Sequence, residues 1–75
     1  MTLDRVREII SENTRVDINE IYADTLFEED LAIDSLEYFK IVTELEDELD
    51  ASLDREKISH INTVGELYEF IKNRA

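Results

Sequence analysis

The sequence predicts an all-α protein, a four-helix bundle with a long first loop and a short third helix, and three observations predict it. The chain has no proline and one glycine in 75 residues, too little turn chemistry for repeated strand reversals. Its apolar residues recur at three- and four-residue intervals. Asp34 followed by Glu37, and Thr63 followed by Glu66, are capping-box spacings that mark helix starts.

Leu3, Val6, Ile9 and Ile10 place a first helix over roughly residues 2 to 13, with Glu12 and Asn13 at its end. Residues 14 to 34 have mixed periodicity, anchored by Val16, Ile18, Ile21, Leu26, Phe27 and Leu31, and read as a packed connection. A connection this long tends to be functional or partly helical. The alternation of Val16 and Ile18 is too short for a strand. The second helix starts at Ser35, with Asp34 as N-cap and Glu37 at N3, and its apolar pattern runs through Leu49. "DASLD" then breaks it. Asp54 caps a short third helix, "REKISH", and Thr63 opens the last one, which carries Leu67, Tyr68, Phe70 and Ile71. Gly65 lies in that helix's first turn, where its helix penalty is tolerable. No repeat, low-complexity tract or linker divides the chain, so residues 1–75 read as a single domain.

A chain of this size buries only about 60% of its unfolded surface, which disfavours a large catalytic cleft and suits a binding or carrier role. With no cysteine, disulfides, thiolate metal sites and a cysteine nucleophile are excluded. Any thiol chemistry has to arrive on a cofactor, and no metal site is expected. The net charge of -12 argues against nucleic acid and anionic lipid as partners and for basic proteins. That charge is concentrated: residues 16 to 53 contain thirteen Asp or Glu and only one base, Lys40. No run approaches the ~18 apolar residues of a membrane span and no signal pattern is present, so a cytoplasmic monomer is the expectation.

At about 100° per residue, Tyr38, Ile41, Val42, Leu45 and Leu49 form one stripe of the second helix. Leu36 lies nearly opposite and should be exposed. Phe39 lies to one side, on a face shared with Lys40, Thr43, Glu44 and Asp47. An exposed leucine is ordinary, but beside Phe39 and inside an acidic rim it also has the makings of a contact patch.

Ser35 admits more than one role. As a hydrolytic nucleophile it needs a positioned base, yet the only histidine is His60, nothing in the sequence places that residue nearby, and the G-x-S-x-G elbow is absent. A helix-end position suits His60 better. Ser35 can be simply a helix-start residue, since serine is common there. It can equally be a modification site, because the free N–H groups and dipole of a helix N-terminus stabilise an anion.

The stretch "DLAIDSLEYFKIVTELEDEL" resembles the acyl carrier protein family, whose pattern D-L-G-x-D-S-L precedes an acidic amphipathic helix. The likeness spans essentially the whole chain. It implies that Ser35 carries 4′-phosphopantetheine, installed from coenzyme A by a phosphopantetheinyl transferase, and that the arm's thiol holds acyl groups as thioesters. The protein is then a carrier and not an enzyme, and the reactive sulfur missing from the sequence belongs to the cofactor. The resemblance also implies that Asp34, Leu36, Phe39, Glu46 and Asp47 meet partners, namely acyl-transferring, condensing or modifying enzymes with basic docking patches. A bundle lined by Tyr38, Val42, Leu45, Ile58, Leu67 and Ile71 could open between helices to admit an acyl chain.

Two positions depart from the pattern: Ala32 stands where glycine is usual, and Lys40 where an acidic residue is frequent. Fatty-acid, polyketide and specialised lipid enzymes all stay open as partners. Peptidyl carriers more often read H-S-L, so Asp34 favours acyl over aminoacyl cargo. The alternative is an unmodified acidic helical adaptor for a basic protein, for which Ser35 is dispensable. A calcium loop at Asp50, Ser52 and Asp54 is discounted, because Arg55 and Ile61 occupy the positions that need Gly and Glu.

Overall fold

Thr2 caps the first helix by accepting the Arg5 N–H at 3.1 Å, so α1 runs Leu3–Thr14. In this computed structural model, which describes residues 1–74, the later helices are α2, Ser35–Leu49, α3, Arg55–Ile58, and α4, Val64–Asn73. The fold is all-α, and none of the described residues belongs to an extended strand; Leu26 and Thr63 form an isolated antiparallel bridge. No described helix is long and apolar enough to cross a membrane.

Each helix start follows from its cap. Asp34 accepts the Glu37 N–H at 2.9 Å while Glu37 accepts the Asp34 N–H at 3.3 Å, and Thr63 and Glu66 repeat the arrangement at α4. α1 lies one residue beyond its expected span, ending with Arg15 in the left-handed region, and α2 ends the same way at Asp50. α3 stops at Ile58, two residues short of the expected "REKISH". Ser59 there turns its hydroxyl back to the Glu56 carbonyl at 2.6 Å.

The connection between α1 and α2 is partly helical, with a 3-10 helix at Ile18–Glu20. Arg7 holds it down: its Nε donates to the Ile21 carbonyl at 2.6 Å and its Nη2 to the Ile18 carbonyl at 2.7 Å. Further along, the connection is stitched to the start of α4. Phe27 N–H donates to the Asn62 carbonyl at 3.0 Å, Val64 N–H to Thr25 at 3.0 Å and Gly65 N–H to Ala23 at 2.7 Å. A Cβ on Gly65 would lie 2.8 Å from the Ala23 carbonyl oxygen. Glycine is therefore needed there for close approach, not merely tolerated.

The core gathers Val6, Ile9 and Ile10 of α1, Tyr38, Ile41, Val42 and Leu45 of α2, Ile58 of α3, and Val64, Leu67 and Ile71 of α4. Ile21, Phe27, Leu31 and Ile33 of the connection are buried with them, so the connection is part of the core. The stripe predicted for α2 is the buried one, except that Leu49 at its end is only half-buried. Arg5 joins α1 to α2 by a forked pair with Glu48, Nε to Oε2 at 2.8 Å and Nη2 to Oε1 at 2.6 Å.

Candidate functional site

The turn before α2 sets the site. Leu26 N–H donates to Asp30 Oδ2 at 2.8 Å, and its carbonyl accepts the Asp30 and Leu31 N–H groups at 3.0 and 3.1 Å. Ala32 then takes a left-handed φ of 53°, and Ile33 N–H returns to the Phe27 carbonyl at 3.3 Å. Leu31 and Ile33 are thereby driven into the core, and the chain leaves at Asp34 pointed into α2.

Ser35 is the first residue of α2 and is exposed. The first hydrogen bond of the helix runs from Tyr38 N–H to the Asp34 carbonyl at 2.9 Å, and the Asp34 side chain takes the Glu37 N–H. Among the described residues the Ser35 and Leu36 N–H groups have no protein acceptor, so both can face an anion on the Ser35 oxygen. Ser35 also lies on the edge of a groove of about 730 Å³, lined by Phe27, Ile33, Tyr38 and Ile61, with Glu28 and Glu29 from the connection. Ser59 and Asn62 line this groove too, but His60 between them does not and is exposed. The hydroxyl therefore has an open approach and no neighbouring imidazole, which fits an acceptor of a phosphate-linked arm better than a hydrolytic nucleophile.

Leu36 is 70% exposed, as its angular position predicts. With Phe39, Lys40, Thr43, Glu44 and Asp47 it lines a shallow depression on the outer face of α2. Phe39 is half-buried there, its ring 5.4 Å from the Arg55 guanidinium carbon. Asp47 is exposed on this face, whereas Asn13 Nδ2 donates to Glu44 at 2.9 Å and ties it to α1.

Glu46 stands apart from the other expected contact residues. Its side chain is only 15% exposed; Oε2 accepts the Leu53 N–H at 2.7 Å and Oε1 pairs with Arg55. The Leu53 N–H, helped by Arg55, holds this carboxyl below the usual carboxylate range. Glu46 thus fastens the α2–α3 turn, a role its helical position did not reveal because Leu53 and Arg55 meet it only after the chain reverses.

Tyr38, Val42, Leu45, Ile58, Leu67 and Ile71 are all buried. Tyr38 alone of these lines the groove beside Ser35. Its hydroxyl donates to the Ile58 carbonyl at 2.8 Å, and burial pushes the phenol above its ordinary value. Glu28, Glu29 and Ile61 reach the groove through the connection and the turn after α3, where no periodicity in the sequence gives a direction.

Comparison with known proteins bears on this geometry. A sequence-family profile described as "Phosphopantetheine attachment site" matches residues 4–71. A solved structure of a Mycobacterium tuberculosis protein (Rv0033), assigned as an acyl carrier protein, is 32% identical, with a TM-score of 0.85 over 95% of this chain and 96% of that one.

Proposed function

The chain belongs to the phosphopantetheine attachment site family, whose cofactor is covalently bound 4′-phosphopantetheine, and we propose that it is an acyl carrier protein with Ser35 as the attachment residue. The observation that carries this reading is the exposed Ser35 hydroxyl at the first position of α2, between unclaimed N–H groups and an open groove. When bound, phosphopantetheine supplies a thiol on which acyl groups travel as thioesters. The chain's own residues do the rest. Ser35 Oγ would accept the phosphopantetheine phosphate as the pyrophosphate bond of coenzyme A breaks and adenosine 3′,5′-bisphosphate leaves, with the hydroxyl proton going to a base of the phosphopantetheinyl transferase, since the groove presents no imidazole, only exposed carboxylates. The Ser35 and Leu36 N–H groups would be available to the phosphodiester so formed.

The outer face of α2 presents the loaded arm to partners. Leu36 and Phe39 supply apolar contact next to Asp34 and Asp47, and the concentrated negative charge steers basic docking patches toward Ser35. Glu46 contributes by holding α3 against this face. Such docking is weak and salt-sensitive, which suits a carrier that delivers acyl intermediates to fatty-acid, polyketide or specialised lipid enzymes in the cytoplasm and then leaves.

Intact mass before and after incubation with coenzyme A and a promiscuous phosphopantetheinyl transferase tests the assignment. Wild-type protein gains one phosphopantetheine and Ser35→Ala gains none. Equal loading of both proteins, or of neither, overturns it; loading of neither favours an unmodified acidic adaptor.

A further inference from the structure

Tyr38 belongs both to the lining of the groove beside Ser35 and to the buried core. Tyr38 faces the groove on one side and the core on the other, where Val42, Leu45, Ile58 and Leu67 have no exposed surface. Its ring is wedged between Phe27, 5.0 Å away, and Phe39, 5.5 Å away. Its hydroxyl bridges from α2 to the Ile58 carbonyl, which also accepts the Ile61 N–H at 3.0 Å. The Tyr38 side chain therefore reaches from α2 to the last residue of α3. A group entering the core past Tyr38 would have to displace that ring, breaking the bridge and stranding a buried hydroxyl.

We infer that Tyr38 is a specificity-determining gate that confines cargo to the outer groove, so that this carrier shelters short acyl groups and leaves longer chains outside the core. This rests on Ser35 bearing the arm. The groove's composition agrees with short cargo: beyond the apolar patch of Phe27, Ile33 and Ile61, its rim is polar, with Glu28, Glu29 and Asn62. A long hydrocarbon gains nothing there, whereas a short one is covered.

The test loads wild-type protein, Tyr38→Leu and Tyr38→Ala with acetyl, butyryl, octanoyl and dodecanoyl forms of the arm, with intact mass establishing loading first. Absence of loading is a failure of the Ser35 assignment and is seen at that step. Methyl NMR then reports Ile33 in the groove and Leu45 and Leu67 in the core, and thermal unfolding reports sheltering. In wild-type protein the Ile33 signal shifts with every acyl group, Leu45 and Leu67 stay unchanged, and the melting temperature stops rising after butyryl. In a folded Tyr38 variant, octanoyl and dodecanoyl shift Leu45 and Leu67 and raise the melting temperature further. Long chains that move the core methyls of wild-type protein overturn the gate without recourse to any variant. Variants that shelter long chains no better than wild type overturn Tyr38 as its cause.

Discussion

Ala32 shows what one methyl group costs three residues before Ser35. Its φ of 53° lies in the left-handed region, where a Cβ crowds the following carbonyl at a cost of about 1 kcal/mol. Glycine avoids that crowding but loses more chain entropy on folding, by about 0.4–1 kcal/mol. The two effects nearly offset, so Ala32→Gly should raise stability by no more than about 0.5 kcal/mol in urea unfolding. Ala32→Val, being β-branched, should lower it clearly. A neutral valine would mean the left-handed turn is not kept. Gly65 presents the opposite case. Helix propensity alone predicts that Gly65→Ala gains about 1 kcal/mol, but the new Cβ would meet the Ala23 carbonyl oxygen at 2.8 Å, and backbone cannot step aside as a flexible side chain can. Overpacking of about 1–3 kcal/mol should win, giving a net loss measured by the same unfolding. Sequence showed Ala32 as a departure and Gly65 as a tolerated helix residue; the reason for either lies in a backbone angle or a neighbour from another segment.

At the scale of elements, the helices were legible because their signals are local. Caps at Asp34 and Thr63 and the stripe of α2 need only neighbours a few residues away, and the structure places them as expected. The break at "DASLD" and the Asp54 cap were legible too, but the fastening across that turn was not, since Glu46 reaches Leu53 and Arg55 only after the chain reverses. That contact makes a pH prediction. The folded Glu46 carboxyl titrates below its unfolded value, so its contribution is complete above the unfolded pKa of about 4.3. It is lost as pH falls through the lower folded value. Wild-type protein should therefore exceed Glu46→Gln in stability near neutrality, with the gap closing on acidification below about pH 4. A gap that is constant with pH, read from paired thermal melts, would show that Glu46 acts through packing alone.

Across the whole molecule, charge acts in two opposite senses. The net -12 sits on a body of 30 × 22 × 19 Å, so at low salt most carboxylates feel one another, while at 0.1 M screening acts over about 10 Å. Added salt should raise the melting temperature by relieving self-repulsion and, over the same range, weaken transferase docking. Asp47→Lys should lower transferase kcat/KM several-fold at low salt and little at high salt; equal rates at every ionic strength would remove acidic steering from the proposal. Asp47 is the cleaner site for this reversal, because Glu46→Lys would also disrupt the fastening of α3. The family motif, the helix order, the exposure of Leu36 and the position of Ser35 at a helix start were determined by sequence alone, since each depends on periodicity, capping chemistry or composition. Tertiary structure decided that the connection is core, that Glu46 turns inward, that Gly65 admits a crossing backbone and that Tyr38, in the groove beside Ser35, bonds the Ile58 carbonyl. Those features join residues far apart in the chain, and only the packed backbone brings their atoms within hydrogen-bonding or van der Waals reach.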